Sequence, residues 1–285
     1  MKGGAVSERV GLIAGGGRLP LEIARATKGR QLCAVGFPGI TDPGLGGCVD
    51  DLHWRPFGAV EAVVGTLRDA GVREVVLAGK VDKTDLVRAP ERLALDGRAR
   101  RLLAELGDRS DARLLGLVAD VLEQEGLAVL PQAALVPDLL PGAGLLGKVE
   151  PSAAAARDLL VAWPLARALA ATGIGQCLVV KSGTVVAVEA LEGTDATIAR
   201  AVALAGGGLT VVKVAAPEHD PRFDLPTIGP RTIEPLMAAG GGMLAVQADA
   251  TLVLDRSELV ARADRGGVAV LAVGPDGPGA PGGRV

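Results

Sequence analysis

The stretch "RVGLIAGGGRLPLEIARAT", Arg9 to Thr27, decides how the first half of the chain is read. An apolar run to Ala14 reads as a buried strand, and Gly15, Gly16 and Gly17 as a tight turn. A helix follows, with Pro20 near its first position, where a missing N–H has no intrahelical partner to lose. Outward from there, "QLCAVGF" supplies a second strand, "GAVEAVVGTLRDAG" an amphipathic helix ended by Gly71, and "REVVLAG" a third strand leading into Lys80. Strands alternating with helices at this spacing predict a parallel sheet with right-handed crossovers. Two more helices, "RARRLLAEL" and "DARLLGLVADVLEQEG", complete a Rossmann-like domain over residues 1–130.

Between 131 and 150 the composition shifts to Pro131, Pro137, Pro141, Gly142, Gly144 and Gly147, which reads as a linker. The remainder, 151–274, is expected to be a mixed α/β catalytic domain, and 275–285 a disordered tail. In this second domain a helix interrupted at Pro164 precedes "QCLVVKSGTVVAVEA", where Ser182-Gly183 marks a hairpin. A helix from Thr194, a strand "LTVVKVA", a helix from about Arg231, a hairpin "GMLAVQADATLVLD", a helix "RSELVARADRG" and a final strand "VAVLAVG" follow.

Composition narrows the function. The 285 residues are 49% hydrophobic and 22% charged, enough apolar material for folded cores. Tyrosine is absent, aromatics are 2% and the net charge is −3, so stacking platforms and a basic surface for nucleic acid are both missing. Cys33, Cys48 and Cys177 are too few and too widely spaced for a zinc site or a disulfide framework, which suits a reducing compartment. No secretory h-region and no membrane-length apolar run is visible, so a cytosolic protein, at most peripheral to a membrane, is expected.

Several groups bear chemistry. The turn Gly15-Gly16-Gly17 sets backbone N–H groups at a helix N-terminus, a geometry suited to phosphate. It departs from the dinucleotide fingerprint, because Pro20 stands where the third glycine belongs and no acid closes "QLCAVGF". A nicotinamide-dependent oxidoreductase is therefore disfavoured. Gly79 and Lys80 fall at the carboxyl edge of the sheet, whereas Lys83 and Asp85 read as a solvated face. "AVEALEGTDATIAR" carries Glu189, Glu192 and Asp195 around a turn; Thr194 and Asp195 have a helix-capping explanation, and closely placed carboxylates also hold Mg²⁺. Lys148 lies in the linker and Lys181 at a strand end, while Lys213 is a rare polar residue in its strand. In "RFDLPTIG" Asp224 precedes Pro226, Thr227 and Gly229, either as a turn-forming carboxylate or as a chemical group beside a hydroxyl and a close-approach backbone.

Taken in order, "GLIAGGGRLP", "AGKV", "LGKV", "AVEALEGTDATIAR", "KVAAP", "DLPTIG" and the final "LVLDR" segment resemble the LpxI-type UDP-2,3-diacylglucosamine pyrophosphatases, from about Arg9 to Val273. The resemblance implies a two-domain hydrolase of lipid A biosynthesis, dependent on Mg²⁺ with Mn²⁺ as a substitute. It would be cytoplasmic and peripheral to the inner membrane, commonly a homodimer. The products implied are UMP and 2,3-diacylglucosamine 1-phosphate (lipid X), formed by water attack on the α-phosphorus. The family's essential aspartate falls on Asp224, as metal ligand or as base, with Glu189, Glu192 and Asp195 completing the metal site. Lys213 and Thr227 would join Asp224 in catalysis. Gly15, Gly16, Gly17, Gly79, Lys80, Lys148, Lys181 and Thr194 would line the substrate, and a hinge at Pro141 to Gly147 would let the domains close on lipid. Where the family often has Asn, in "AGNV", this chain has Lys80. A non-catalytic UDP-lipid binding protein is the competing expectation.

Overall fold

The structure, a computed structural model, describes residues 9–27, 29–80, 95–105 and 111–279. Lys83, Asp85 and 280–285 of the expected tail lie outside the described residues. The chain forms two compact units: residues 1–136 with 220–223, and 137–219 with 224–285.

In the first unit β1 (Val10–Ala14), β2 (Leu32–Gly36), β3 (Asp51–Trp54), β4 (Glu74–Ala78) and β5 (Ala128–Val129) make one parallel sheet in the order β3-β2-β1-β4-β5. Strand β3 was not visible in the sequence, because "DLHW" presents no apolar run. Helices α1 (Leu19–Ala26), α2 (Val60–Asp69), α3 (Gly97–Glu105) and α4 (Asp111–Gln124) accompany the sheet. Val63, Val64 and Leu67 of α2 and Ala119 and Leu122 of α4 bury one sheet face with Cys33, Val35 and Val75. The strand order reverses between β1 and β4, so their carboxyl ends form the switch point where open α/β sheets take ligands.

The second unit holds a six-stranded mixed sheet in the order β6-β13-β11-β9-β7-β8. Its strands are β6 (Gly144–Leu145), β7 (Cys177–Lys181), β8 (Thr184–Val188), β9 (Leu209–Lys213), β11 (Gly242–Gln247) and β13 (Val268–Val273). Strands β9, β11 and β13 run parallel, while β7 is antiparallel to β9 and β8 to β7. Alternate residues feed two cores: Cys177, Val179 and Val211 pack under α6 (Thr194–Ala205), α7 (Pro230–Ala238) and α8 (Arg256–Arg265). Leu178, Val180 and Val212 pack under α5 (Ala153–Ala171). Burial on both faces is why these strands read as unbroken apolar runs.

Three sequence expectations change here. Helix α5 is continuous through Pro164, because Pro164 and Leu160 both lie on its exposed side, where water solvates the carbonyl that proline leaves unbonded. "GMLAVQADATLVLD" is not a hairpin: β11 joins the main sheet, whereas β12 (Leu252–Val253) pairs in parallel with β10 (Thr227–Ile228). The segment read as linker and hinge contributes β6, which pairs antiparallel with β13, and Pro141 accepts the Asp249 N–H at 2.9 Å. The chain passes between units at Val136–Pro137 and on either side of 220–223 instead.

The Ser182-Gly183 hairpin is as expected, with φ of 50° and 74° matching a two-residue turn that needs positive φ at both positions. The buried Asp158 carboxylate of α5 accepts the Ser182 and Gly183 N–H groups at 2.9 and 2.7 Å.

Candidate functional site

The switch point of the first unit is stitched shut by its own backbone. Gly15 N–H donates to Ala78 at 2.7 Å, Gly16 N–H to Lys80 at 2.7 Å, and Lys80 N–H back to Gly16 at 2.8 Å. Glycine is required by this approach: a Cβ at Gly79, where φ is +95°, would stand 2.6 Å from the Gly16 carbonyl oxygen. Two of the three N–H groups expected to cradle phosphate are thus engaged, and Lys80 is exposed beside them. Nearby, Gly36 lets the Trp54 ring lie across β2, at the wall of an open cavity of about 460 Å³ lined also by Pro38, Gly39, Thr41 and Pro43.

The second unit concentrates polar groups at one sheet edge, formed by the carboxyl ends of β8, β9, β11 and β13 and the amino end of β7. Lys213 ends β9 and is only 6% exposed. Its Nζ donates to Thr194 Oγ1 at 2.5 Å, Thr194 Oγ1 donates to Glu189 Oε1 at 2.7 Å, and Glu189 Oε2 accepts the Gln176 N–H at 3.2 Å. Thr194 opens α6, whose first N–H groups have no intrahelical acceptor, so a positive helix end adjoins a buried ammonium. Gln247, ending β11, accepts the Ala215 N–H at 3.1 Å and Arg167 Nη1 at 3.0 Å. Sequence reasoning missed Arg167 and Gln247; the available signal was that Arg167 is one of three charged residues in the 19-residue α5.

The chain leaves this edge after Lys213, runs through 220–223 of the first unit and re-enters the second at Asp224, where "DLPTIG" begins. This loop is anchored where Leu252 N–H donates to Pro226 at 2.8 Å and β10 pairs with β12. Asp224 is half-buried and Thr227 Oγ1 donates to the Leu225 carbonyl at 3.2 Å. Gly229 and Pro230 start α7, with Thr232 Oγ1 accepting the Gly229 N–H at 3.2 Å.

Glu192 serves its own turn. One oxygen accepts the Ala190 N–H at 3.2 Å, and the other meets Arg200 Nη2 at 2.7 Å and the Thr197 hydroxyl at 3.3 Å. Backbone N–H donation, first from its own amide, and the Arg200 guanidinium hold its carboxyl below the usual range. Asp195 faces Arg231 at 3.7 Å. Among the described residues no three His, Cys, Asp or Glu side chains form a group able to hold a metal ion. Of the expected set of Asp224, Glu189, Glu192 and Asp195, the last three each engage protein donors. Cys177, on β7 beneath this edge, is fully buried; burial first, then the Glu189 charge, pushes its thiol up.

Two expected lysines lie elsewhere. Because β7 runs against β9, Lys181 stands at the opposite edge, where its Nζ donates to the Ala205 carbonyl at 2.5 Å, at the end of α6. Lys148 follows β6 toward that opposite edge, its N–H donating to Asp264 at 2.7 Å.

A doubly wound parallel sheet and a mixed sheet whose edge gathers a buried cation at a helix N-terminus define a two-unit α/β protein suited to a phosphate-bearing ligand. Residues 9–139 match the LpxI N-terminal domain and residues 142–271 the LpxI C-terminal domain, so the chain belongs to the LpxI family. It is 34% identical over 281 residues, 94% of this chain and 98% of the relative, to the UDP-2,3-diacylglucosamine pyrophosphatase LpxI of Caulobacter vibrioides. Among solved structures, the biotin carboxylase domain of the Hydrogenobacter thermophilus 2-oxoglutarate carboxylase aligns over 62% of this chain and 35% of its own. At 17% identity and a TM-score of 0.22 that likeness carries no argument about this fold.

Proposed function

We propose that this protein is a hydrolase that cleaves the pyrophosphate of UDP-2,3-diacylglucosamine to UMP and 2,3-diacylglucosamine 1-phosphate, in lipid A biosynthesis. Membership of the family supports the substrate. The observation that carries the chemistry is the buried Lys213 ammonium at the N-terminus of α6, in the unit that also holds the Asp224 loop. A pyrophosphate needs its charge neutralised and a water oriented in line with the bond to be broken.

In the proposed reaction the water oxygen bonds to the α-phosphorus as the bond to the bridging oxygen breaks. That electron pair leaves with the glucosamine 1-phosphate, and a water proton passes to an acceptor. Lys213 donates to a phosphoryl oxygen, and the first N–H groups of α6 face the same charge. Thr227 orients the loop that carries Asp224. Asp224 is the carboxylate assigned to Mg²⁺, or to Mn²⁺ in its place; when bound, the ion supplies further neutralisation of the pyrophosphate. Mg²⁺ is commonly held by one or two carboxylates plus substrate phosphates, a requirement that does not call for the acidic cage missing among the described residues.

Hydrolysis in H₂¹⁸O by the wild type and by Asp224→Ala tests this reading. The expected result is label in UMP and a loss of about 100-fold or more in the variant, with UDP-sugar binding retained. Label in the lipid product would move the attack to the other phosphorus, and a folded wild type that binds without turnover would make this a binding protein.

The same proposal places the protein at the cytoplasmic face of the inner membrane, as a homodimer. Among the described residues no helix is long and apolar enough to cross a membrane. What supports a surface contact is the outward side of α5, where Leu160, Val161 and Leu165 are 52%, 40% and 42% exposed.

A further inference from the structure

We propose that Gln176, Glu189 and Thr194 form a positioning chain that aims the Lys213 ammonium at a phosphoryl oxygen, with Glu189 acting through Thr194 and not as a metal ligand. The proposal rests on the reading above that the substrate carries a pyrophosphate.

The direction of every link is fixed by donor and acceptor inventory. An ammonium has three protons and no acceptor, so in the Lys213–Thr194 contact the hydroxyl oxygen must accept. The single Thr194 proton is then left for Glu189, whose other oxygen receives the Gln176 N–H. The chain runs cation, hydroxyl, carboxylate, amide, with no step reversible. Its third member must accept on both terminal atoms, which a carboxylate does and a side-chain amide, whose nitrogen only donates, does not.

Two consequences follow for the ends of the chain. With each Glu189 oxygen already accepting a protein proton, an ion at Glu189 would have to share those oxygens with Thr194 and the Gln176 amide. At the other end, Lys213 makes one hydrogen bond among the described residues, while its side chain is almost wholly buried. A buried ammonium with two protons unmatched is costly unless a ligand takes them. The N–H groups of the first turn of α6, which have no intrahelical acceptor, lie beside the same hydroxyl, so the matching ligand is an anion with several oxygens.

The test uses the full chain and two readouts. Calorimetric binding of inorganic pyrophosphate in EDTA reports the ammonium without metal or turnover; turnover of UDP-2,3-diacylglucosamine across a Mg²⁺ titration reports the half-saturating ion concentration. Thr194→Val is expected to weaken pyrophosphate binding about 10-fold, while Thr194→Ser stays within about 2-fold of wild type. Glu189→Gln is expected to match Thr194→Val, to add nothing in the Thr194→Val background, and to leave half-saturating Mg²⁺ unchanged. Additive losses, or half-saturating Mg²⁺ raised about 10-fold by Glu189→Gln, would overturn the chain and make Glu189 a ligand of the ion. If Thr194→Val does not fold, Glu189→Gln and Lys213→Met carry the same cycle, the double variant binding no more weakly than Lys213→Met alone. A wild type that fails to bind pyrophosphate overturns the chain even if it hydrolyses the lipid. One that shows the binding pattern without hydrolysis keeps the chain and removes the hydrolase reading.

Discussion

Glu192 shows how one residue can satisfy a sequence motif for a reason other than metal chemistry. Its carboxylate caps the turn before α6 and pairs with Arg200, which lowers its affinity for protons relative to the unfolded chain, where an ordinary glutamate titrates near ~4.3. A depressed folded pKa contributes stability that is fully present above the unfolded value and is lost as pH falls through the folded value. Wild type should therefore melt above Glu192→Gln near neutral pH, and the gap should close in acid, below about pH 4. A gap in melting temperature that is independent of pH would remove the carboxylate's charge from the explanation. Lys213 and Thr194 were legible one at a time, the first as a polar residue in an apolar strand and the second as a helix start. Their link to Glu189 and Gln176 was not, because it joins the residue before β7, the residue after β8, the end of β9 and the start of α6.

At the scale of elements, the amino end of β7 has to pass close under the end of β8. A Cβ at Gly175 would come within 2.1 Å of the Glu189 carbonyl oxygen, which is fixed backbone. Gly175→Ala should thus displace Glu189 as well as strain the strands, costing about 1–3 kcal/mol of stability and lowering turnover at temperatures where the variant is fully folded. Chemical denaturation with a parallel activity assay checks this; full activity in the folded variant would separate Gly175 from the site. The elements themselves were legible where their cause is local. The Ser182-Gly183 turn needs only its own positive φ values. The pairing of β12 with β10 was not legible: "TLVLD" has the composition of a main-sheet strand, and its choice of Thr227–Ile228 over β11 is made by burial of Val253 and Ile228 in one core. Strand β3 was hidden for the converse reason, being half-exposed and polar in sequence.

For the whole molecule, the two units have separate cores, and 220–223 belongs to the first although Asp224 belongs to the second. Phe223 is buried with Val35, Val75 and Leu122, so the residue just before Asp224 is held by one core while the loop after it is tied to β12. The proposed homodimer is a property at this scale. Sedimentation velocity is expected to give twice the 28.7 kDa of one chain at micromolar concentration, and a single monomeric species would remove that part of the proposal.

The sequence by itself determined the α/β class, the glycine turn after β1, most helices and strands, and the residues on which the family resemblance rests. These follow from periodicity, turn chemistry and apolar runs, all of which act over a few neighbouring residues. Tertiary structure alone decided that Lys181 and Lys213 face opposite edges, that the Gly15 and Gly16 amides bind backbone, and that Glu189 answers to Thr194 and Gln176. Each depends on which strands become neighbours and in which direction they run, and burial of the assembled sheet selects that.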